Sequence, residues 1–302
     1  MDASLDVGRL RLLREVSARG SIAAAAREVG LTSSAVSQQL SILEREAGTP
    51  LLDRSPRGVL LTGAGEALVG RARAILELLE QARADLDRLT GELSGQVRIG
   101  TVASAAAALV SEAMLRLSAE HAELDLNVTV CEPERSIEQL LHGDLDVAVV
   151  DVYQRVPVPV PDYLVAIELC TEPLVLVSAI GAFPTRAKLR LSALTEQDWV
   201  MPPTEAACGQ AVRFACRAEG FEPRVRWETD DMLLLVRAVA AGHGIAILPR
   251  LAVADGVAEV EIRPLADPGL SRRLLALTRR SSQARPIIGA VLEELQKAAV
   301  SA

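Results

Sequence analysis

The feature that most constrains this chain is a regular apolar repeat between residues 62 and 89. Its members lie alternately four and three residues apart: Leu68, Ala72, Ile75, Leu79, Ala82, Leu86 and Leu89. A repeat of this period over three heptads predicts one long helix, opened by Thr62, with an apolar seam on one side. Such a seam can pack on its own domain or pair with a second chain. Its regularity favours pairing, so these seven residues are the predicted dimer interface.

Three shorter helices are predicted before the seam. The first spans residues 6–19, and its apolar residues share one stripe. Ser21 and Thr32 are residues that cap helix starts, and Gly30 breaks the chain between the second and third helices. The third helix has small polar residues on its free face. This arrangement predicts a helix-turn-helix.

A short basic segment follows the third helix. Residues 49–62 read TPLLDRSPRGVLLT, in which Pro56-Arg57-Gly58 is a turn signal. Apolar residues on both sides of the turn predict a β-ribbon tied to the helices, with Arg54 and Arg57 facing outward. Residues 1–61 are therefore predicted to form one domain, and residues 62–90 a linking helix.

Strands and helices alternate after a short hinge at residues 91–96. The first set runs from VRIGTV to LDVAVV, and the second from PLVLVS to GIAILP. Each set has the pattern of a parallel sheet with crossover helices. Residues 97–302 are therefore predicted to form two α/β lobes around a cleft. The first lobe takes about 97–165 and 270–302, and the second about 166–269.

The composition limits the class of protein. The formal net charge is −8, but residues 1–61 carry +1 and residues 96–302 carry −7, so the acidity lies away from the helix-turn-helix. No apolar stretch reaches membrane-span length and the first residues are not a secretory signal, so we expect a cytoplasmic protein with no membrane partner. The four cysteines form no CxxC pair. We therefore expect no disulfide framework, no metal and no cofactor.

Residues 21–69 contain the segments SIAAAAREVGLTSSAVSQQLSILEREAGTPLLDR and RGVLLTGAGEALV. They closely resemble the LysR-type transcriptional regulators, and VRIG, LHGDLDVAVV, EPLVLV, AEGFEP and VAAGHGIAILP continue the resemblance in family order. Ile22 and Leu52 stand where the family often has Phe. The resemblance implies an α plus α/β protein: a winged helix-turn-helix, a linker helix, and a two-lobed α/β effector domain resembling a type 2 periplasmic-binding fold. It also implies promoter DNA as a partner and self-association, commonly into a tetramer.

The family's mode of DNA contact implies roles for particular residues. Those on the exposed start of the recognition helix would touch bases: Ser33, Ser34, Ser37 and Gln38. Those in the wing would touch phosphate or the minor groove: Arg54, Arg57 and Thr62. Helix capping and ordinary solvation are the alternative roles, above all for Ser33.

Effector contacts are expected where predicted strands end and helices begin. The residues at such positions are Thr101, Ser104, Pro203, Thr204 and Thr229. Hydroxyl groups and free backbone N–H groups at helix starts favour a polar or anionic small molecule. Plain capping is again the alternative.

Three other functions stay open at this stage. A peroxide-sensing branch of the family has two cysteines in the second lobe, where this chain has Cys208 and Cys216. Here they are eight residues apart in a predicted helix, about 12 Å along its axis, which is too far for a disulfide without unwinding. An enzyme with secondary DNA binding and an architectural DNA-binding protein are the others. No catalytic constellation is evident, so we expect a regulator and not an enzyme.

Overall fold

The computed structural model describes most of the chain in nine stretches. These are residues 5–55, 58–90, 93, 95–154, 156, 158–183, 188–253, 259–266 and 270–301. Contacts divide the chain into two units, Met1–Glu92 and Leu93–Ala302. Arg57, predicted at the wing turn, and three residues of the predicted hinge at 91–96 (91, 92 and 94) lie outside the described residues.

The first unit contains four helices and a hairpin in its described part. They are α1 (Val7–Arg19), α2 (Ile22–Glu28), α3 (Ser33–Ala47), β1 (Leu52–Ser55), β2 (Gly58–Leu61) and α4 (Gly63–Thr90). The side chain of Ser21 accepts a hydrogen bond from the Ala24 N–H at 3.1 Å, and that of Thr32 accepts one from the Ala35 N–H at 3.2 Å. These bonds satisfy N–H groups that a helix start leaves free. Both predicted caps are confirmed.

The apolar seam of α4 is divided between two environments. Ala72 is fully buried in the core of the first unit, and Leu68 and Ile75 pack partly against the same core. By contrast, Leu79 and Leu86 are 47% and 58% exposed. Ala82 is exposed as well, and the Leu89 side chain lies outside the described residues. The first half of the seam therefore packs within its own domain, where Val69 and Leu76 are also buried. The second half of the seam is the part that a partner chain can cover.

Two features join the wing to the helices. The Glu44 carboxylate on α3 accepts hydrogen bonds from the backbone N–H groups of Leu51 and Leu52, at 2.9 and 3.1 Å. At Gly65 in α4, an added Cβ would lie 2.2 Å from the Leu51 carbonyl oxygen. Only glycine lets α4 approach the start of β1 this closely.

The second unit alternates strands and helices through most of its length. Its first part holds β3 (Gly95–Thr101), α5 (Ala103–Ala105), a π-helical turn (Ala106–Val110), α6 (Ser111–Glu120), β4 (Leu124–Val130), α7 (Pro133–His142), β5 (Val147–Tyr153) and β6 (Leu164–Ala179). A 3-10 turn (Leu191–Leu194), β7 (Asp198–Met201), α8 (Ala207–Ala218), β8 (Arg224–Glu228), α9 (Met232–Ala240), β9 (Ala246–Pro249) and a second 3-10 turn (Arg250–Ala252) follow. The described part ends with β10 (Val260–Pro264), β11 (Ser271–Arg279) and α10 (Pro286–Ser301).

The strand pairing is only partly parallel, which differs from the sequence prediction. β3 runs parallel to β4 and β5, and β7 runs parallel to β8. β11, however, lies antiparallel between β5 and β6, and β9 and β10 pair antiparallel with β6. The reason is that β6 and β11 are long strands that serve both halves of the unit. Crossover helices therefore account for only some of the connections.

β6 is where the chain passes from one half to the other. Its 16 residues form one strand, which pairs with β11 from Leu164 to Pro173 and with β9 from Leu174 onward. The sequence placed a lobe boundary near residue 165. In the structure the change of partner comes at Pro173, inside a continuous strand.

Each half of the second unit has its own core. In the first half, β3, β5 and β11 pack against the helices α6 and α10. In the second half, the fully buried Trp199 lies among aliphatic residues of β6, β9 and α8. No helix within the described ranges is long and apolar enough to cross a membrane.

Candidate DNA-binding surface and effector cleft

The start of α3 presents an open polar surface. Val36, Leu40 and Leu43 turn the other side of the helix into the core of the first unit. On the free side Ser33, Ser34 and Gln38 are exposed, and Ser37 is half-buried. The Ser34 hydroxyl lies 3.0 Å from that of Thr32, so it takes part in the cap region. The four residues predicted to read bases therefore lie together at one end of one helix.

The wing residues divide differently. Arg54 belongs to β1, but its side chain lies outside the described residues, as all of Arg57 does. The Thr62 hydroxyl donates to the Pro50 carbonyl oxygen at 2.8 Å and accepts from the Gly65 N–H at 3.1 Å. Because both bonds are internal, Thr62 caps α4, and its phosphate contact stays a prediction.

Sequence reasoning missed one basic residue near the polar face. Arg45 is exposed in the last turn of α3 and borders a shallow surface hollow together with Gln38 and Ser41. It follows Gln38 by seven residues, which places the two side chains on the same face of a helix. That spacing was the signal available in the sequence.

The second unit has a cavity where its parallel strands end. The residues that follow β3 and β4 and the end of β5 line one wall, and the starts of α8 and α9 line the other. The cavity has a volume of about 40 Å³. Ligands of α/β proteins bind outside the carboxyl ends of parallel strands, because the loops and helix starts that follow them converge there. This cleft is the candidate effector site.

Arg272 of β11 holds the floor of the cleft. It is 1% exposed, and it donates from Nη1 to Asp151 Oδ2 at 2.9 Å and from Nε to Glu172 Oε1 at 2.7 Å. Its Nη2 donates to the Ser104 hydroxyl at 2.8 Å. Burial opposes the charge on the guanidinium, but the surrounding negative groups leave the pKa of Arg272 above its usual value. The guanidinium is therefore charged and held in place by its neighbours.

Tyr153 at the end of β5 contributes an unsatisfied group. Its side chain is 2% exposed and lines the cleft. The hydroxyl makes no hydrogen bond of normal geometry within the described residues, and its neighbour is the weakly hydrogen-bonding thiol of Cys208. Burial raises the pKa of Tyr153 well above its usual value, so the phenol keeps its proton.

A larger chamber adjoins this cavity. Its volume is about 340 Å³, and it shares four lining residues with the cavity: Ala103, Ser104, Asp230 and Met232. Most of its remaining surface is aliphatic and comes from the π-helical turn, α9 and the second 3-10 turn. The two spaces together offer a polar end and an apolar end, which is the usual design of a small-molecule site.

The predicted effector residues occupy different positions. Ser104 lines both spaces, as predicted for an effector contact. Thr101 is fully buried, and its hydroxyl donates to the Val102 carbonyl oxygen at 3.2 Å. Thr204 is exposed and borders neither space, and the Thr229 hydroxyl accepts from the Asp231 N–H at 3.2 Å. Thr101 and Thr229 therefore make hydrogen bonds within the protein, and the effector contact of Ser104 stays a prediction.

Pro203 acts through the backbone. Its carbonyl oxygen accepts a hydrogen bond from the Ala206 N–H at 3.1 Å. An added Cβ at Gly209 would lie 2.2 Å from the same oxygen. Pro203 therefore fixes the start of α8 at the edge of the cleft, and the side chain of Ala206 supplies no cap there.

Several cleft residues escaped sequence reasoning. They are Glu132, Asp151, Tyr153 and Arg272. Asp151 follows the predicted strand LDVAVV directly, so its position at a strand end could have indicated it. Arg272 lies 121 residues from Asp151 along the chain, and nothing local predicts that pairing.

Comparisons with known proteins agree with this geometry. Residues 7–66 match the family model described as "Bacterial regulatory helix-turn-helix protein, lysR family", and residues 90–300 match "LysR substrate binding domain". The chain belongs to the LysR family. It is a LysR-type transcriptional regulator with a helix-turn-helix domain and an effector-binding domain.

Individual relatives cover almost the whole chain. The small neutral protease regulatory protein of Streptomyces coelicolor is 30% identical over 97% of this chain and 92% of its own length. The regulator CbbR of Rhodospirillum rubrum is 27% identical over 96% of both chains. Full-length OxyR from Pseudomonas aeruginosa has the same fold, with a TM-score of 0.73 at 20% identity over 97% of this chain and 95% of that one. The alignments therefore cover both domains of the chain.

The two candidate redox cysteines of this LysR-type regulator lie in unreactive surroundings. Cys208 and Cys216 are both buried and both belong to α8. Burial, above all, raises the pKa of each thiol to about 12. Because the thiolate is the reactive form, neither residue is prepared for oxidation. The structure therefore favours the structural role over the thiol switch.

Proposed function

We propose that this regulator binds promoter DNA as a dimer and that a small molecule in the cleft of the second unit modulates the binding. The observation that carries the proposal is the polar face at the start of α3, where Ser33 and Gln38 stand exposed on a capped and packed helix. A recognition helix of this kind reads base edges in the major groove. Gln can bond bidentately to adenine.

Self-association is proposed through the distal half of α4. Leu78, Leu79 and Leu86 are large apolar side chains, and each is between 47% and 63% exposed. A second copy of α4 would cover them in a coiled-coil arrangement. Pairing two chains would also present two recognition helices to two half-sites, which offsets the small net positive charge of the DNA-binding domain.

The effector is proposed to be bound and released unchanged. Ser104, Tyr153 and Arg272 give the cleft hydrogen-bonding groups, and the adjoining chamber accommodates an apolar body. Binding between the two halves would favour one arrangement of the halves over another, which is a population shift. Since the DNA target is chromosomal, we place the protein in the cytoplasm.

The test compares two neighbouring glutamines. Gln38 is exposed, whereas the Gln39 side chain accepts a hydrogen bond from Arg9 Nε at 2.9 Å within the domain. Gln38→Ala should lose about 1–3 kcal/mol on the cognate half-site and little on random DNA. Gln39→Ala serves as the matched control, with altered stability but unchanged base preference.

The measurement is fluorescence anisotropy of both variants on the operator, on single-base variants of it and on random duplex DNA. Relaxed preference at one base pair per half-site in Gln38→Ala supports the proposal. An equal loss of affinity on every sequence would show that Gln38 does not read a base. Failure of the unaltered protein to prefer any promoter fragment would overturn the proposed function itself.

A further inference from the structure

We propose that the effector cleft is selective for cations and takes a small aliphatic amine, with its ammonium group among the cleft carboxylates and its hydrocarbon chain in the adjoining chamber. The inference rests on the proposed function, because it names the ligand class of the same site. The sequence suggested a polar or anionic effector, and this inference keeps the polar character and replaces the anion by a cation. Four observations carry it.

The first observation is that the basic residue of the cleft is already paired. Arg272 ion-pairs with Asp151 at 2.9 Å and with Glu172 at 2.6 Å, and its third partner is the Ser104 hydroxyl. Two carboxylates face one guanidinium, so this cluster is itself negative. An anionic ligand would have to displace a buried carboxylate from Arg272, and a buried charge left without its partner is strongly unfavourable.

The second observation is the excess of acidic groups around the cavity. Glu132, Asp151 and Asp230 line it from three different chain segments, against the single guanidinium of Arg272. The pKa of Glu132 is raised, first by burial and then by Asp151, Glu134 and Asp230. A raised pKa means that the carboxylate form is disfavoured, here first by burial and then by its acidic neighbours. An ammonium group placed among these carboxylates relieves that repulsion.

The third observation is the buried phenol of Tyr153. The residue is only 2% exposed and lines the cavity, and its hydroxyl makes no hydrogen bond of normal geometry in the described part of the chain. Its neighbour there is the Cys208 thiol, which is a weak hydrogen-bonding group. Buried polar groups in folded proteins are almost always paired. A hydroxyl oxygen accepts hydrogen bonds, and an ammonium group has three donors and no acceptor. The phenol and the carboxylates together therefore form an acceptor set that suits an amine.

The fourth observation is the character of the adjoining chamber. Apart from Ser104 and two aspartates its lining is apolar, with Met232, Leu233 and Val236 from α9 and Leu251 from the second 3-10 turn. Its 340 Å³ is large enough for several methylene groups. An inorganic cation would leave this apolar surface uncovered, whereas an alkyl chain would fill it. The chamber therefore points to an organic cation.

The start of α8 brings the positive end of a helix to the cavity, opposite in sign to the cleft carboxylates. Ala206, Ala207 and Cys208 line the cavity at the first turn of this helix, and no side chain caps it. The positive end of a helix favours an acceptor. An amine that also carries a carboxylate could use both ends of the site, and the ligand series below separates that case from a simple amine.

The experiment uses three ligands with the same five-carbon chain. Cadaverine carries two ammonium groups, 5-aminopentanoate carries one ammonium and one carboxylate, and glutarate carries two carboxylates. Binding to the full chain without DNA is measured by isothermal titration calorimetry. We expect at least one amine to bind about tenfold tighter than glutarate, the order of effect expected for reversing one charge near a partly buried carboxylate. Glutarate binding as tightly as the amines would overturn the proposal, as would no binding of any of the three at millimolar concentration.

Two variants locate the ammonium group. Asp230 is exposed, and its side chain makes no hydrogen bond within the described residues, so Asp230→Asn should fold normally. It should weaken amine binding about tenfold and leave glutarate no weaker. Asp162→Asn, an exposed aspartate that borders neither space, is the matched control and should bind amines as the unaltered protein does. Unchanged amine affinity in Asp230→Asn would overturn the assigned position.

Tyr153→Phe tests the acceptor set. It keeps the ring and removes a hydroxyl whose neighbour is the Cys208 thiol, a weak hydrogen-bonding group, so the melting temperature without ligand should change little. Amine affinity should fall several-fold. Unaltered affinity would remove Tyr153 from the site. Operator binding, measured separately on the same samples, distinguishes failure of this inference from failure of the proposed function. A protein that binds its operator but prefers glutarate remains a regulator with a different effector class.

Discussion

The Glu44 carboxylate on α3 accepts a hydrogen bond from the Leu51 backbone N–H at 2.9 Å, just before β1 begins. The same oxygen accepts the Leu52 N–H. The recognition helix and the wing are thus joined by one side chain. The two elements that would touch DNA therefore keep a fixed relative position.

Glu44→Ala should weaken DNA binding on every sequence. The change leaves two partly buried N–H groups without an acceptor, which costs about 1–3 kcal/mol. Glu44→Gln retains an acceptor oxygen and should recover most of the loss. Urea unfolding and operator affinity are measured together. A glutamine variant as damaged as the alanine variant would show that charge matters more than the shared acceptor.

Gly65→Ala should destabilise the first unit by about 1–3 kcal/mol, because its Cβ would lie 2.2 Å from the Leu51 carbonyl oxygen. Gly70→Ala in the same helix is the matched control, since no atom lies within 4 Å of its added Cβ. Alanine favours helix over glycine by about 1 kcal/mol, so the control should be neutral or stabilising. Thermal unfolding of the two variants checks both directions. Equal melting temperatures would contradict the close approach of α4 to β1.

Leu79→Asp combined with Leu86→Asp should separate the proposed dimer. Both side chains are exposed in the single chain, so the domain should still fold, while the paired state would bury two charges. Sedimentation velocity should show a smaller species, and operator binding should collapse. Ile75 is less suitable, because it packs partly against its own core. Leu60→Asp, 69% exposed in the wing hairpin, is the control for the oligomeric state. A soluble double variant of unchanged size would place the interface elsewhere.

Cys208 and Cys216 should resist alkylation in the folded protein at pH 8. Their thiols have pKa values of about 12, so almost none is thiolate at that pH. Mass spectrometry after iodoacetamide treatment should find them labelled only after unfolding, and hydrogen peroxide should leave operator binding unchanged. Rapid labelling of either residue, or a disulfide between them, would restore the thiol-switch hypothesis.

Local rules in the sequence predicted the first unit well. Ser21 and Thr32 are caps whose partners lie three residues away, so neighbouring residues alone determine them. The heptad seam was harder to interpret, because its spacing does not show whether a residue packs against its own domain or against a second chain. Ala72 meets its own core, whereas Leu79 does not.

The effector cleft is formed by residues that lie far apart in the sequence, and it was predicted less well. Thr101 ends a strand as expected, but packing from neighbouring elements buries its hydroxyl completely. The Arg272–Glu172 pair joins positions 100 residues apart, so no window of the sequence contains it. The charge of the cleft could not be predicted for the same reason. Three separate chain segments supply its carboxylates.

The position of β11 between β5 and β6 also determines the order in which the two units can fold during synthesis. Every described element of the DNA-binding domain lies within the first 90 residues, so that domain can fold on a nascent chain. The central sheet of the second unit stays open until residues 271–279 emerge from the ribosome, because β11 pairs with both neighbours. The DNA-binding domain can therefore fold before the effector cleft is complete.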